Sequence, residues 1–268
     1  MEPQQNIALI TGGSSGIGLA IAHELARQKH NLLLVSNRPK ELAEAKTALE
    51  QKHAIKCLIL DLDLASITAP QEVFNFCTTN LLEVEILINN AGRLIMSEVT
   101  DISPADISQI IQLHVHTTTM LCRLFGEEMK ARKHGHIMNV SSISAAMPYP
   151  IISLYGPTKT YLRYFTRALR TEMQPHGVNV TCLLPGATIT GLYNLTEVNV
   201  SLLKSVGIFH TPQFVAHKAV RGLMRRKARV VPGLINKITL VLMPLMPTFV
   251  IAILNRHKNA SFFKKLNP

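Results

Sequence analysis

The chain has 268 residues, enough for one large domain with a sizeable core or at most two small ones. Apolar residues at 47% and charged residues at 17% exclude a disordered, collagen-like or coiled-coil chain. The net charge is +11, but residues 1–197 hold 16 Lys and Arg against 17 Asp and Glu, while residues 198–268 hold 12 Lys and Arg and no acid, so the excess belongs to the carboxy-terminal part.

Short apolar runs alternate with amphipathic stretches. Residues 7–10 read as a strand, 16–28 as a helix, 32–35 as a second strand and 40–51 as a second helix. Residues 58–60 make a third strand, 70–80 a helix and 86–88 a fourth strand. A long helix is expected over 107–132, a fifth strand over 136–140, another long helix over 154–174 and a sixth strand over 179–184. Strands of three to five residues separated by helices of ten or more are βαβ units, which build a parallel sheet covered on both faces. Residues 186–212 read as a long, partly helical loop. Cys57, Cys77, Cys122 and Cys182 form no C-x-x-C pair and read as reduced, buried thiols. Residues 1–3 run almost directly into the first strand, so no secretory signal is read and a cytoplasmic location is expected.

Three features carry chemistry. The first strand runs into Thr11-Gly12-Gly13-Ser14-Ser15-Gly16-Ile17-Gly18 and then a helix. A glycine-rich turn lets backbone approach a pyrophosphate, and the helix N-terminus supplies free N–H groups and partial positive charge. The second strand ends Val35-Ser36-Asn37-Arg38, with no acid to take a ribose 2′-hydroxyl. Arg38 is either the partner of a 2′-phosphate, favouring NADP(H) over NAD(H), or an ordinary solvated residue opening a helix. Tyr155 and Lys159 stand four apart and share a helix face, with Asn139-Val140-Ser141-Ser142 upstream. A free phenol has a pKa of about 10. A neighbouring ammonium stabilises the phenolate and brings it toward useful acid–base chemistry, and a serine at the end of the fifth strand can donate to the same substrate oxygen.

With these motifs in order, residues 5–192 resemble the short-chain dehydrogenase/reductase family. The resemblance rests on Thr11 to Gly18, Asp61-Leu62, Asn89-Asn90-Ala91-Gly92, the set Ser142, Tyr155 and Lys159, and Pro185-Gly186 with Thr190. It implies an α/β, Rossmann-like, doubly wound parallel sheet in a single domain, and catalysis of carbonyl reduction or alcohol oxidation. Tyr155 would be the general acid or base, Lys159 would hold the nicotinamide ribose and lower the Tyr155 pKa, and Ser142, set 13 residues before Tyr155, would polarise the carbonyl. Gly12, Ser14, Ser15, Gly16 and Gly18 would cradle the pyrophosphate, and Ile17 would lie toward the nicotinamide half. Asp61 and Leu62 belong to the adenine side; Asn89, Ala91, Gly92, Pro185, Gly186 and Thr190 complete the cofactor cleft. No metal is implied, and a homodimer or homotetramer through the helices at 107–132 and 154–174 is.

Two positions depart from the family pattern. His114 stands where an asparagine usually bends the central helix and supports a proton relay. Imidazole either continues that relay as a catalytic residue or only satisfies backbone groups nearby. Pro157 falls between Tyr155 and Lys159, and proline fits only the first turn of a helix, so the helix should begin close to Tyr155.

The organisation expected is 1–212 as dinucleotide-binding and catalytic domain and 213–268 as a basic, apolar extension. Residues 221–237 are rich in Arg and Lys, 238–254 are apolar but broken by Pro244 and Pro247, and Arg256, Lys258, Lys264 and Lys265 follow. Seventeen residues with two prolines are too short for a spanning helix, which needs about 20. Two short amphipathic helices fit better, either in peripheral contact with an anionic membrane or packed on the cleft or a partner subunit. No nucleic-acid-binding motif accompanies the charge. The resulting reading is an NADP(H)-dependent oxidoreductase for a small-molecule carbonyl/alcohol pair, lipophilic in character. The alternative is a dinucleotide-binding sensor or scaffold with little catalysis.

Overall fold

A computed structural model of the protein describes residues 5–146, 150–190, 209–247 and 249–250. Six βαβ strands are present in the expected order: β1 (Gln5–Thr11), β2 (Asn31–Ser36), β3 (Cys57–Asp61), β4 (Leu82–Asn89), β5 (Gly135–Val140) and β6 (Val178–Leu183). A seventh, β7 (Arg229–Val230), adds to the edge beside β6. All pair in parallel, in the order β3-β2-β1-β4-β5-β6-β7. The order reverses between β1 and β4, which opens a crevice at their carboxyl ends.

Apolar residues fill both faces of the sheet, so neither can face water. β1 sends Ala8 and Ile10 to one side, against α1 (Gly16–Arg27), α2 (Pro39–His53) and α7 (Pro212–Met224). It sends Ile7 and Leu9 to the other, against α3 (Ala69–Thr79), α5 (Thr118–Ala131) and α6 (Tyr155–Met173). Residues 212–230 therefore join the same layers: α7 packs on α1 and β7 extends the sheet. The described residues form a single α/β domain. All four cysteines are buried and free, and burial pushes each thiol up to about 12.

The element expected over 107–132 is not one regular helix. It begins at α4 (Pro104–Ile111), because Ser103 caps the N-terminus by accepting from the Asp106 N–H (3.1 Å) and Pro104 occupies the first turn. A π-helical turn, Gln112–Thr117, then leads into α5. β4 starts at Leu82 rather than 86, since Leu82 and Val84 are buried between half-exposed glutamates in strand alternation. In the extension, α8 (Leu234–Leu242) passes into a 3₁₀ turn, Met243–Leu245, at Pro244. Beyond Pro247 only residues 249–250, which are helical, are described; the rest of the expected second short helix, the charges Arg256, Lys258, Lys264 and Lys265, and most of the expected 186–212 loop lie outside the described residues.

Candidate active site

The carboxyl ends of β1, β2, β4, β5 and β6 surround one cleft. Its floor is the turn after β1. Gly12 (φ 63°) and Gly16 (φ 56°) adopt left-handed backbone that favours glycine. The turn is tied down by the Gly12 N–H donating to the Val35 carbonyl (2.7 Å) and by a Ser14–Ser36 hydroxyl pair at 2.9 Å. Ser15 caps α1 without a side-chain cap bond, and no acid stands in the first turn, so the helix presents its N–H groups and positive end to the cleft. Ser14, Ser15, Gly16 and Ile17 line it. Gly18 does not: a Cβ there would fall on the Gly12 carbonyl oxygen, so this glycine lets α1 pack on the turn.

At the β2 end, Arg38 lines the cleft and is exposed, while Leu62 and Asp63 form the adjoining rim. Asp61 lies one residue short of that rim and is not among the lining residues. The β4 end is similar. Asn89 is buried in the sheet, its Nδ2 donating to Asn139 Oδ1 (2.8 Å), whereas Asn90 reaches the cleft and donates from Nδ2 to the Thr11 carbonyl (3.0 Å). Ala91 and Gly92 follow along the wall. Across the cleft stand Pro185, Gly186 and Thr190, with Thr190 Cγ2 3.2 Å from where a Cβ on Gly16 would lie.

Ser142, Tyr155 and Lys159 line the same wall. α6 starts at Tyr155, which puts Pro157 in its first turn and leaves the Tyr155–Lys159 spacing helical. Lys159 Nζ stands 5.6 Å from the Tyr155 ring centroid and donates to the Val140 carbonyl (3.1 Å). Burial pulls its pKa down to about 8. Ser141 is occupied by structure, its hydroxyl donating to the Lys159 carbonyl (2.6 Å). Ser142 Oγ accepts from the Ser144 N–H (3.1 Å), which leaves its own proton to donate.

His114 is fully buried behind Gly92 in the π turn and is not among the lining residues. Its Nε2 accepts from the Arg93 N–H (3.0 Å), so a neutral ring must carry its proton on Nδ1 and donate to Thr158 Oγ1 (2.8 Å). Thr158 in turn donates to the Tyr155 carbonyl (2.8 Å). Burial, and then the charge of Lys159, hold the His114 pKa well below 6.5. Of the two readings of His114, this geometry agrees with the one in which it satisfies groups near the site. Both ring nitrogens are engaged by protein groups.

The cleft therefore gathers most of the residues singled out by sequence: a glycine cradle, Arg38, and the serine, tyrosine and lysine. Asn90, Asp63, Ser36 and Thr188 line it without having been singled out as ligands. Asn90 lies within the Asn-Asn pair of the motif, and at β4 it is the residue just beyond the strand, not Asn89 at its end, that reaches the crevice.

Comparison with known proteins agrees with this geometry. Residues 6–199 match the family model for short chain dehydrogenase. The chain is 28% identical over 197 residues to very-long-chain 3-oxoacyl-CoA reductase-B of Danio rerio, covering 71% of this chain and 62% of that relative. It is 33% identical over 189 residues to an uncharacterized short-chain type dehydrogenase/reductase of Sinorhizobium fredii, covering 70% and 71%. Among solved structures, L-sorbose reductase of Gluconobacter frateurii, in complex with NADPH and L-sorbose, superposes with a TM-score of 0.76 at 28% identity, covering 87% of this chain and 97% of that one.

Proposed function

The chain belongs to the short chain dehydrogenase family, and from that premise we propose that it reduces an apolar ketone or aldehyde to an alcohol with NADPH, and runs the reverse with NADP+. The observation that carries this reading is the convergence of Ser142, Tyr155 and Lys159 on one wall of a cleft floored by a glycine turn and a helix N-terminus. The cradle suits a dinucleotide because its glycines leave room for a pyrophosphate, and Arg38, exposed on the β2 side of the cleft, is a cation suited to a 2′-phosphate. The NADPH in the sorbose reductase structure and the activity named for the zebrafish relative support the same cofactor and direction.

When bound, NADPH supplies hydride to the carbonyl carbon. Tyr155 gives its phenolic proton to the carbonyl oxygen, which completes the alcohol and leaves a phenolate. The Lys159 ammonium stabilises that phenolate, and Ser142 donates a hydrogen bond to the same oxygen and polarises it. His114 is a positioning residue: through Thr158 it holds the first turn of α6, and through the Arg93 N–H it holds the loop that carries Gly92.

Tyr155 packs, with Ile152 and Ile189, on a buried cluster of Leu94, Met96 and Phe209, and this apolar surround of the phenol is what favours an apolar substrate. A homodimer or homotetramer through α5 and α6 and peripheral membrane contact through the basic extension complete the reading; Tyr161 and Tyr164 are exposed on α6. The test is NADPH oxidation with a panel of apolar ketones. Turnover should fall about 10²–10⁴-fold in Tyr155→Phe while NADPH binding persists. Cofactor binding without turnover of any ketone would favour a sensor instead.

A further inference from the structure

α8 shows a surface that the chemistry of the cleft does not use. The helix buries Asn236 and Leu240 and turns another side outward. Leu234, Ile238, Val241, Leu242 and Leu245 follow one another at i, i+4, i+7, i+8 and i+11, which is a single helical stripe. Four of them are more than half exposed, from 58% at Leu242 to 74% at Leu245. Isolated exposed aliphatics are ordinary, but a contiguous stripe of large ones marks an interaction surface.

Charge identifies what covers it. Lys237 lies within α8, and Arg225, Arg226, Lys227 and Arg229 lie in the turn and strand leading to it. No acid occurs anywhere in residues 198–268. A second copy seated on the stripe through a two-fold contact would bring two acid-free, strongly basic segments together. An anionic lipid surface complements both features, with aliphatics for the acyl boundary and cations for the headgroups. Among the described residues no helix is long and apolar enough to cross a membrane. With nine residues, α8 is about 14 Å long against a hydrocarbon core of about 30 Å, which suits a helix lying in the interface plane.

α8 is also docked on the cleft. Asn236 packs so closely on Gly186 that a Cβ there would overlap its amide, and its Nδ2 donates to the Pro232 carbonyl (2.6 Å). Leu240 packs with Ala145, Ala146 and Leu184, in the turn after Ser142 and at the end of β6. Whatever holds the outer side of α8 therefore fixes the orientation of the cleft.

We propose that the outward stripe of α8 is the surface by which this protein lies on an anionic bilayer, so that apolar carbonyl substrates enter the cleft from the lipid. The substrate part rests on the reading of the cleft given above; the surface part is tested by binding alone. The experiment is co-sedimentation of the full chain with phosphatidylcholine vesicles with and without phosphatidylglycerol, for wild type and for a Val241→Glu, Leu245→Glu double variant. Both positions are exposed, and an unchanged melting temperature and NADPH affinity will establish that the variant is folded. Wild type should bind the phosphatidylglycerol vesicles, lose roughly tenfold or more of that affinity at high salt, and bind neutral vesicles weakly. The variant should lose binding by a similar factor and turn over a vesicle-dissolved ketone more slowly, at unchanged turnover of a water-soluble one. Absence of wild-type binding, equal binding by the variant, or a variant that dissociates an oligomer in the absence of lipid each overturns the proposal. Vesicle binding without turnover of any ketone supports the surface and removes the carbonyl-substrate reading.

Discussion

Lys159 is a buried ammonium with a pKa of about 8, and burial is the main cause. Below that pH it is charged and stabilises the Tyr155 phenolate; above it the stabilisation fades. The kcat/KM for ketone reduction should therefore decline as pH rises through about 8, which a pH–rate profile at saturating NADPH checks. His114 works in the opposite sense of need, because it must stay neutral. Its folded pKa lies well below 6.5 and its unfolded value near 6.5. Below pH 6.5 the unfolded chain takes up a proton that the folded chain refuses, so this stability is full above 6.5 and lost as pH falls. His23, His53, His136 and His210 shift in the same direction. A His114→Gln variant should consequently lose less stability than wild type between pH 7 and pH 5, measured by denaturant unfolding; equal losses would count against a buried neutral ring. Arg38→Ala should weaken NADPH binding roughly 10–100-fold and NADH binding far less, since hydrogen bonds to charged groups are worth about 1.5–3 kcal/mol. Equal loss for both cofactors would show that Arg38 does not read the phosphate.

Two close approaches set the shape of the site between elements. α1 can reach the β1 turn only because Gly18 has no side chain, and α8 can reach the cleft wall only because Gly186 has none. Gly18→Ala should destabilise the fold by about 1–3 kcal/mol through overpacking. Gly186→Ala should instead loosen α8, seen as faster amide exchange over 234–242 with smaller change elsewhere. The strands β1 to β6 and the helices between them were legible because each buried run is short and bounded. The π turn was not, since an extra residue in a helical turn leaves the apolar periodicity of the flanking helices intact, and His114 could be located but its partners could not. β7 escaped because two residues carry no periodicity, and Asn89 was singled out over Asn90 because a motif gives neighbours without saying which side chain leaves the sheet. Ser142 was separable from Ser141 by spacing alone, and the structure adds the reason: the Ser141 hydroxyl is held by the Lys159 carbonyl.

At the scale of the whole molecule, an electrically balanced α/β body carries a basic segment whose first part is woven into the same sheet and layers. Charge segregation of this kind was fully visible in composition, but not that α7 and β7 complete the core. The arrangement places acid–base groups and a cofactor cradle around one crevice, and its central claim is that Tyr155 completes a hydride transfer there. The most direct measurement is deuterium transfer from NADPH labelled at the nicotinamide C4 to an apolar ketone, read by mass spectrometry of the alcohol at matched cofactor occupancy. Wild type should yield an alcohol carrying deuterium at the former carbonyl carbon, and Tyr155→Phe almost none. Label transfer at the same rate by both proteins, or none from wild type with NADPH bound, would contradict the account.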